Sequence, residues 1–151
     1  MKNNSVNVDT TVRRVLFLCV ANSARSQMAE GLARVKYPKG HFQSAGSVPS
    51  SVNPWAKRVM SELGIDLSSH SSKSVDDIAE GSFDVVATLC AEESCPASML
   101  AQPRWDWAIP DPASDSPLSD EAMLQRVREA RDNIALLVGS MPETLVVELS
   151  E

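Results

Sequence analysis

The sequence predicts an α/β domain with a doubly wound parallel sheet. Short apolar runs, typical of buried strands, alternate with longer segments of helical periodicity, which is the pattern of strand–helix–strand units. With 151 residues, 43% of them hydrophobic, the chain has the size of one domain with its own core. In such sheets ligands bind beyond the carboxyl ends of the strands, so the residues that follow each strand are the functional candidates.

The first half of the chain is predicted to hold two strands, at 14–18 and 41–45, and two helices, at 26–35 and 54–63. The first strand is a continuous apolar run. In the first helix Met28, Leu32 and Val35 share one face, which we expect to meet the core. The second helix has Pro54 in its first turn and Gly64 at its C-terminal end, where these residues commonly occur.

The second half is predicted to hold a short helix, two strands and a long helix, at 74–79, 83–89, 105–109 and 119–138. Ser74 and Asp77 have the spacing of a capping box. Ser119 is placed to cap the long helix, and acidic residues in its first turn complement the helix dipole. Residues 145–149 are apolar and are expected to form either an edge strand or a packing tail.

The chain is predicted to comprise a polar tail at 1–12, a central domain at 13–140 and a C-terminal tail at 141–151. Residues 1–12 lack the apolar stretch of a secretion signal. No run approaches the roughly 20 apolar residues of a membrane span, so we expect a cytoplasmic protein that binds no membrane. The formal net charge of -6 argues against a nucleic-acid surface, but not against a small anion in a locally positive pocket.

The segment from Cys19 to Ser26 lies where the first strand passes into the first helix. A thiol there, with Arg25 six positions later and Ser26 next, is typical of a nucleophile above an oxyanion pocket. Loop amides and the helix N-terminus can bind an anion, and Arg25 can grip it with two hydrogen bonds. Ser26 can donate to the thiolate, and Asn22 can fix the loop. Alternatively, Cys19 is a small buried residue at a strand end.

Two further features follow predicted strands. Cys90 and Cys95 come after the strand at 83–89, and Asp111 lies between two prolines after the strand at 105–109. Because Cys19, Cys90 and Asp111 each follow a strand, the fold predicts that they face one edge of the sheet. The alternatives are two core cysteines, a metal-like pair, and an ordinary Asp-Pro turn. Three cysteines argue against a disulfide framework, and the two histidines have no spacing suited to a zinc site.

The stretch from Val15 to Gly31 resembles the signature of the low-molecular-weight protein tyrosine phosphatases and of the arsenate reductases built on the same fold. The resemblance continues through residues 44–46, 64–67, 70–74, 90–96 and 110–113. It implies a three-layer α/β/α fold with a four-stranded parallel sheet, in which Cys19 is the nucleophile. It also implies an oxyanion site formed by the loop residues Val20, Ala21, Asn22, Ser23, Ala24, Arg25 and Ser26.

The loop departs from the family pattern at two positions. Ala21 stands where many relatives have glycine, and an alanine would be strained there if its φ were positive. Ala24 replaces a second loop cysteine found in many members, so no disulfide can form within the loop. Some relatives bind potassium nearby, which makes Asn22, Glu30 and Ser44 candidate ligands; the alternative is that they are polar residues bracing the loop.

The resemblance to thioredoxin-coupled arsenate reductases implies a relay of three thiols. Cys19 forms an adduct with arsenate, and Cys90 attacks the Cys19 sulfur with release of arsenite. Cys95 then attacks Cys90, and an external reductant regenerates the enzyme. The resemblance also makes Asp111 a general acid.

The sequence therefore predicts a monomeric arsenate reductase without a resident cofactor. Its expected partners are arsenate and a reductant, which is thioredoxin, glutaredoxin or a low-molecular-weight thiol. The alternatives are a low-molecular-weight tyrosine phosphatase and a non-enzymatic oxyanion or redox sensor.

Overall fold

The computed structural model describes residues 14–79, 83–90, 104–112 and 119–141. Its strands are β1 (Arg14–Cys19), β2 (His41–Gly46), β3 (Val85–Cys90) and β4 (Arg104–Ile109), and its helices are α1 (Arg25–Lys36), α2 (Pro54–Ser61) and α3 (Asp120–Gly139), with a 3-10 turn at Val75–Asp77. This confirms the predicted α/β class. Cys95, residues 145–149 and the tail residues 1–12 and 142–151 lie outside the described residues.

All four strands are parallel, in the order β2-β1-β3-β4. The chain moves from β1 to one neighbour, β2, and later returns to the other side at β3. The carboxyl end of β1 is therefore the point where the strand order reverses, which is where α/β sheets bind ligands. Cys19 is the last residue of β1 and pairs with Gly46 of β2.

Alternate residues of β1 serve two hydrophobic clusters on opposite faces of the sheet. Val15 and Phe17 pack with residues of all three helices. Leu16 and Leu18 pack on the other face. Among the described residues, the cluster on that face includes Val75 of the 3-10 turn and no residue of the three helices. Within the described residues the three helices therefore cover one face of the sheet, and the 3-10 turn packs on the other.

Helix α1 differs from the predicted one-sided helix. Val35 is 64% exposed, so the expected core face of Met28, Leu32 and Val35 ends before its last member. Residues 25–31 are instead buried. Close packing causes this burial: a Cβ on Gly31 would lie 3.1 Å from the Leu67 side chain. The start of α1 is therefore enclosed by neighbouring segments.

Helix α2 begins at Pro54 as predicted and ends at Ser61, two residues before the predicted end at Leu63, with Gly64 in the turn that follows. Asn53 caps it, because its Oδ1 accepts hydrogen bonds from the backbone of Trp55 (2.7 Å) and Ala56 (3.2 Å). Gly64 has a φ of 76°, and the N–H of the next residue, Ile65, donates to the carbonyl of Met60. This is the Schellman geometry that favours glycine.

Helix α3 is joined to both other helices. Arg131 donates to the Val59 carbonyl of α2 at 2.8 Å. Tyr37, which follows α1, is fully buried and donates from its hydroxyl to the Val138 carbonyl at 2.9 Å, and burial raises the pKa of this phenol. In the part of the chain that the structure describes, no helix is long and apolar enough to cross a membrane.

Candidate active site

Cys19 lies at the bottom of the β1–α1 loop and is 2% exposed. Its Sγ is 2.9 Å from the Ser26 Oγ, and the Asn22 Nδ2 donates to the same Oγ at 2.8 Å. Because that oxygen already accepts from Asn22, the single hydroxyl hydrogen of Ser26 is available to the sulfur. Ser26 therefore lies where the sequence places it, with its hydroxyl in contact with the sulfur.

Asn22 carries the strained point of the loop. Its φ is 47°, a left-handed conformation that asparagine tolerates better than most residues. Its Oδ1 accepts from the Lys73 backbone N–H at 2.7 Å and from the Gln27 amide at 3.1 Å. Among the described residues other than glycine, positive φ occurs at Asn22 and Ala108. The strain considered for Ala21 therefore does not arise.

Two neighbouring segments hold the outside of the loop. The Val20 carbonyl accepts from the Val48 N–H at 2.9 Å, the Ala21 carbonyl from the Ser72 hydroxyl at 3.0 Å, and the Ser23 carbonyl from the Asn53 N–H at 2.9 Å. In a trans peptide the N–H points opposite to the C=O. The N–H groups that follow these carbonyls therefore point away from the two outer segments, towards the inside of the loop.

The cavity has a volume of about 120 Å³ and is lined by Cys19, Ala21, Ser23, Ala24, Arg25, Asn53 and Asp111. Ala24 is the N-cap residue of α1 and has no side-chain group to cap the helix. The first amides of α1 are consequently left for a ligand, and the helix dipole adds positive potential at the same place. The cavity has the size and the backbone donors that suit a small anion.

Arg25 and Asp111 close the cavity. Arg25 is 4% exposed, and its Nη1 donates to the carbonyls of Ile109 at 2.9 Å and Leu89 at 3.3 Å. Its Nη2 is 3.8 Å from Oδ2 of Asp111, whose side chain is 47% exposed. The guanidinium thus joins the loop to the ends of β3 and β4. Cys19, Arg25 and Asp111 come together at the sheet edge where the sequence places them.

A β-bulge in β4 directs the chain towards this site. Thr88 pairs with Asp106 and Cys90 with Ile109, so β4 has one extra residue over this interval. Ala108 lies in the extra stretch with a φ of 45°. The next residue, Ile109, presents its carbonyl to Arg25, and Asp111 follows two positions later. Sequence analysis missed this bulge because it contains no glycine to signal it.

Cys90 ends β3, the strand beside β1, and is 7% exposed. Its thiol donates to the Leu18 carbonyl, with 3.8 Å between sulfur and oxygen. Leu89 belongs to the cluster on the helical face, and Val86 to the cluster on the other face. Strand alternation therefore places Cys90 on the opposite face from Cys19, although both lie at the same edge. Cys95 lies outside the described residues.

Of the three candidate potassium ligands, Asn22 belongs to the loop, whereas Glu30 lies in α1 and Ser44 in β2. Glu30 is 2% exposed, and its Oε1 accepts from the Ser44 hydroxyl at 2.6 Å. Its Oε2 is 2.7 Å from Arg34 Nη2, and Lys73 Nζ is 3.9 Å from Oε1. Sequence analysis missed both cations. The spacing of Glu30 and Arg34, four residues apart on one helix, is the sequence signal that indicates their ion pair.

His70 and Gln27 extend this polar cluster to the loop. His70 Nδ1 is 3.0 Å from the Gln27 Oε1, and the Gln27 amide donates to the Asn22 carbonyl at 3.2 Å. Burial lowers the pKa of His70, although the nearby Glu30 acts in the opposite direction. A neutral imidazole that donates from Nδ1 satisfies Gln27, and hydrogen bonds then run without interruption from His70 to Cys19.

The fold and this loop define a family. Residues 14–140 match the model of the low molecular weight phosphotyrosine protein phosphatase family. The chain belongs to this family, as the resemblance in its sequence indicates.

Among its relatives, the chain is 38% identical over 134 residues to the arsenate reductase of Halalkalibacterium halodurans, covering 86% of this chain and 95% of the relative. It is 38% identical over 125 residues to the arsenate reductase of Bacillus subtilis, covering 79% and 89%. A solved structure of an arsenate reductase in its oxidized state superposes with a TM-score of 0.73 at 32% identity, covering 91% of this chain and 99% of that one.

Proposed function

We propose that this chain reduces arsenate to arsenite by a thiol relay that begins at Cys19. One observation carries the proposal: a second cysteine, Cys90, ends the strand beside the one that ends in the nucleophile. A phosphatase of this fold needs one reactive thiol, whereas reduction needs two thiols to supply two electrons. The names of the two curated relatives support the same activity.

The first step is attack of the Cys19 sulfur on arsenic. The inward-facing loop amides, the first turn of α1 and Arg25 hold the arsenate oxygens, which develop more negative charge as the sulfur–arsenic bond forms. One arsenic–oxygen bond breaks, and Asp111, at the mouth of the cavity, protonates the leaving oxygen so that it departs as water. Arsenic remains pentavalent in this adduct.

The second step is attack of the Cys90 thiolate on the Cys19 sulfur. A sulfur–sulfur bond forms and the sulfur–arsenic bond breaks, with its electron pair moving to arsenic. The two sulfurs are oxidised to a disulfide, arsenic is reduced to the trivalent state, and arsenite leaves. Because Cys90 lies on the face of the sheet opposite Cys19, this step requires the end of β3 to leave its place in the sheet.

The third step returns Cys19 to the thiol form. In the relay Cys95 attacks Cys90, which leaves a Cys90–Cys95 disulfide for an external reductant. Thioredoxin suits a disulfide within one chain, whereas a low-molecular-weight thiol or glutaredoxin acts on Cys90 directly. Arsenite release is therefore to be measured with thioredoxin and with glutathione plus glutaredoxin, supplied separately, for the wild type and Cys95→Ser. Loss of the thioredoxin-dependent rate alone supports the role of Cys95.

The family relationship supports a second candidate, hydrolysis of a phosphate ester at the same cavity. Cys90→Ser distinguishes the two activities. Under the relay, this variant stops multiple-turnover arsenate reduction but retains any aryl phosphate hydrolysis, and Cys19→Ser stops both. Full arsenite release by Cys90→Ser would refute the relay. Rapid hydrolysis of aryl phosphate by the wild type without arsenate reduction would establish the phosphatase, and arsenate binding without either reaction would establish a sensor.

A further inference from the structure

Glu30 is a buried carboxylate outside the catalytic cavity, and polar side chains from α1, β2 and residues 70–73 lie near it, including His70 with its Nδ1 3.8 Å from Oε2. Its two oxygens receive the Ser44 hydroxyl and the Arg34 guanidinium, and the Lys73 ammonium is 3.9 Å away. The Lys73 side chain is 29% exposed, whereas that of Glu30 is 3% exposed. One buried negative charge is therefore matched by two cationic side chains.

A potassium ion does not fit this donor set. Potassium is bound by oxygen atoms that replace its hydration shell. Here Oδ1 of Asn22 already accepts from Lys73 N and Gln27, and the Ser44 hydroxyl is directed at Glu30. An added cation beside Glu30 would also be repelled by Arg34 and Lys73 at short range.

We propose that Lys73, together with Arg34, takes the place of a monovalent cation beside Glu30, so that the nucleophile loop is braced without potassium. This bracing depends on the chain's own charges, and it does not depend on which reaction follows at Cys19.

Lys73 connects this charge to the nucleophile through its backbone. Its N–H donates to Asn22 Oδ1 at 2.7 Å, and its carbonyl accepts from the Gly46 N–H at 2.9 Å. Asn22 in turn donates to Ser26, whose hydroxyl contacts the Cys19 sulfur. The Lys73 Nζ also donates to the Ser71 carbonyl at 3.0 Å, and attraction to Glu30 at 3.9 Å adds to the forces that hold the peptide fixing Asn22. Lys73 is a positioning residue, because it acts on Cys19 through other groups.

The test compares the wild type with Lys73→Gln and Lys73→Arg in potassium chloride and in choline chloride, both at about 0.15 M ionic strength. Lys39→Gln, at an exposed lysine before β2, is the matched control. Two quantities are measured without arsenate: the thermal midpoint, and the rate at which iodoacetamide alkylates Cys19 in a background where Cys90 and Cys95 are serine.

We expect the wild type, Lys73→Arg and Lys39→Gln to give the same midpoint and alkylation rate in both salts. Lys73→Gln should lose about 3 °C in choline, with slower alkylation, and should recover at least half of both losses in potassium. In that result, potassium replaces the positive charge that the Lys73→Gln substitution removed. A wild type that is more stable in potassium than in choline would overturn the proposal. An unchanged Lys73→Gln would also overturn it, as would a Lys73→Gln loss that is the same in both salts, since the lysine would then act only as a packing contact.

Discussion

Gly46 is the residue whose replacement tests the geometry of the nucleophile loop most directly. It ends β2 beside Cys19, and its N–H is bonded to the Lys73 carbonyl. A Cβ built on Gly46 would lie 2.8 Å from the Asn22 nitrogen and 2.9 Å from the Cys19 carbonyl oxygen, and closer still to the Val20 carbonyl oxygen. Real Cβ atoms essentially never approach to less than 3.0 Å. Gly46→Ala therefore forces the loop backbone to move.

The size of the movement follows from these distances. Ordinary contact begins at 3.4 Å, so the Asn22 nitrogen must retreat by about 0.6 Å from its present 2.8 Å. A misplacement of about 1 Å at a reacting centre costs on the order of 100-fold in rate. We therefore expect Gly46→Ala to lower kcat/KM for arsenate by about 10- to 100-fold. Overpacking of this kind costs about 1–3 kcal/mol, which lowers the thermal midpoint by about 3–9 °C.

The chain offers a matched control for this substitution. Gly139, the last residue of α3, has open space where a Cβ would be added, so Gly139→Ala should leave kcat/KM unchanged and keep or raise the midpoint. The assay is single-turnover arsenite release together with thermal unfolding. If Gly46→Ala releases arsenite within about twofold of the wild-type rate while remaining folded, the loop tolerates the displacement and the argument from Gly46 is wrong.

Four further predictions follow from individual contacts. Ser26→Ala removes the hydroxyl bonded to Cys19 Sγ, and should slow alkylation of Cys19 at neutral pH by about tenfold with an unchanged fold; an unchanged rate contradicts the role of the hydroxyl. Ala108→Gly relieves a left-handed alanine, which costs about 1–2 kcal/mol, against about 0.5–1 kcal/mol for the greater freedom of glycine in the unfolded chain, and should raise the thermal midpoint by about 1–4 °C; a lower midpoint shows that the bulge needs the alanine. Two arginines of α3 lower the pKa of Glu62 from 4.5 to about 2, so this carboxylate stabilises the fold above pH 4.5 and the contribution is lost as the pH falls towards 2. Glu62→Gln should therefore lower the free energy of unfolding in urea at neutral pH but not near pH 2, and an equal deficit at both pH values refutes the assignment. Phosphate is not reduced, and we expect it to bind in the cavity of Cys19→Ser and to increase the alkylation rate of Cys90; no increase would mean that oxyanion binding leaves the end of β3 in place.

The sequence predicted the parts of the site that depend on local spacing. Cys19 and Ser26 are separated by a single turn between a strand and a helix, so one short segment specifies their contact. Asp111 was placed correctly at the sheet edge because parallel strands bring their carboxyl ends together.

The parts that sequence analysis missed depend on contacts between distant segments. The backbone of Lys73 meets the side chain of Asn22 across 51 positions, and nothing in either segment specifies the partner. Glu30 was predicted as a candidate ligand, but the tertiary packing of α1 against residues 70–73 brings Lys73 beside it. Val35 was misplaced because periodicity predicts a single buried face, whereas the enclosed start of α1 is buried on several sides and its end is exposed.

Arg25 lies between the Cys19 cavity and the end of β3, and its contacts there bear on the sequence in which Cys19 and Cys90 react. Its Nη1 donates to the Leu89 carbonyl at 3.3 Å, and Leu89 immediately precedes Cys90. A guanidinium that turns to hold two oxygens of a bound anion gives up hydrogen bonds to neutral strand carbonyls for hydrogen bonds to a negatively charged acceptor. The end of β3 then loses a partner while the oxyanion is bound. Cys90 has to leave the opposite face of the sheet to reach Cys19, so this loss favours its release after arsenate has entered and not before.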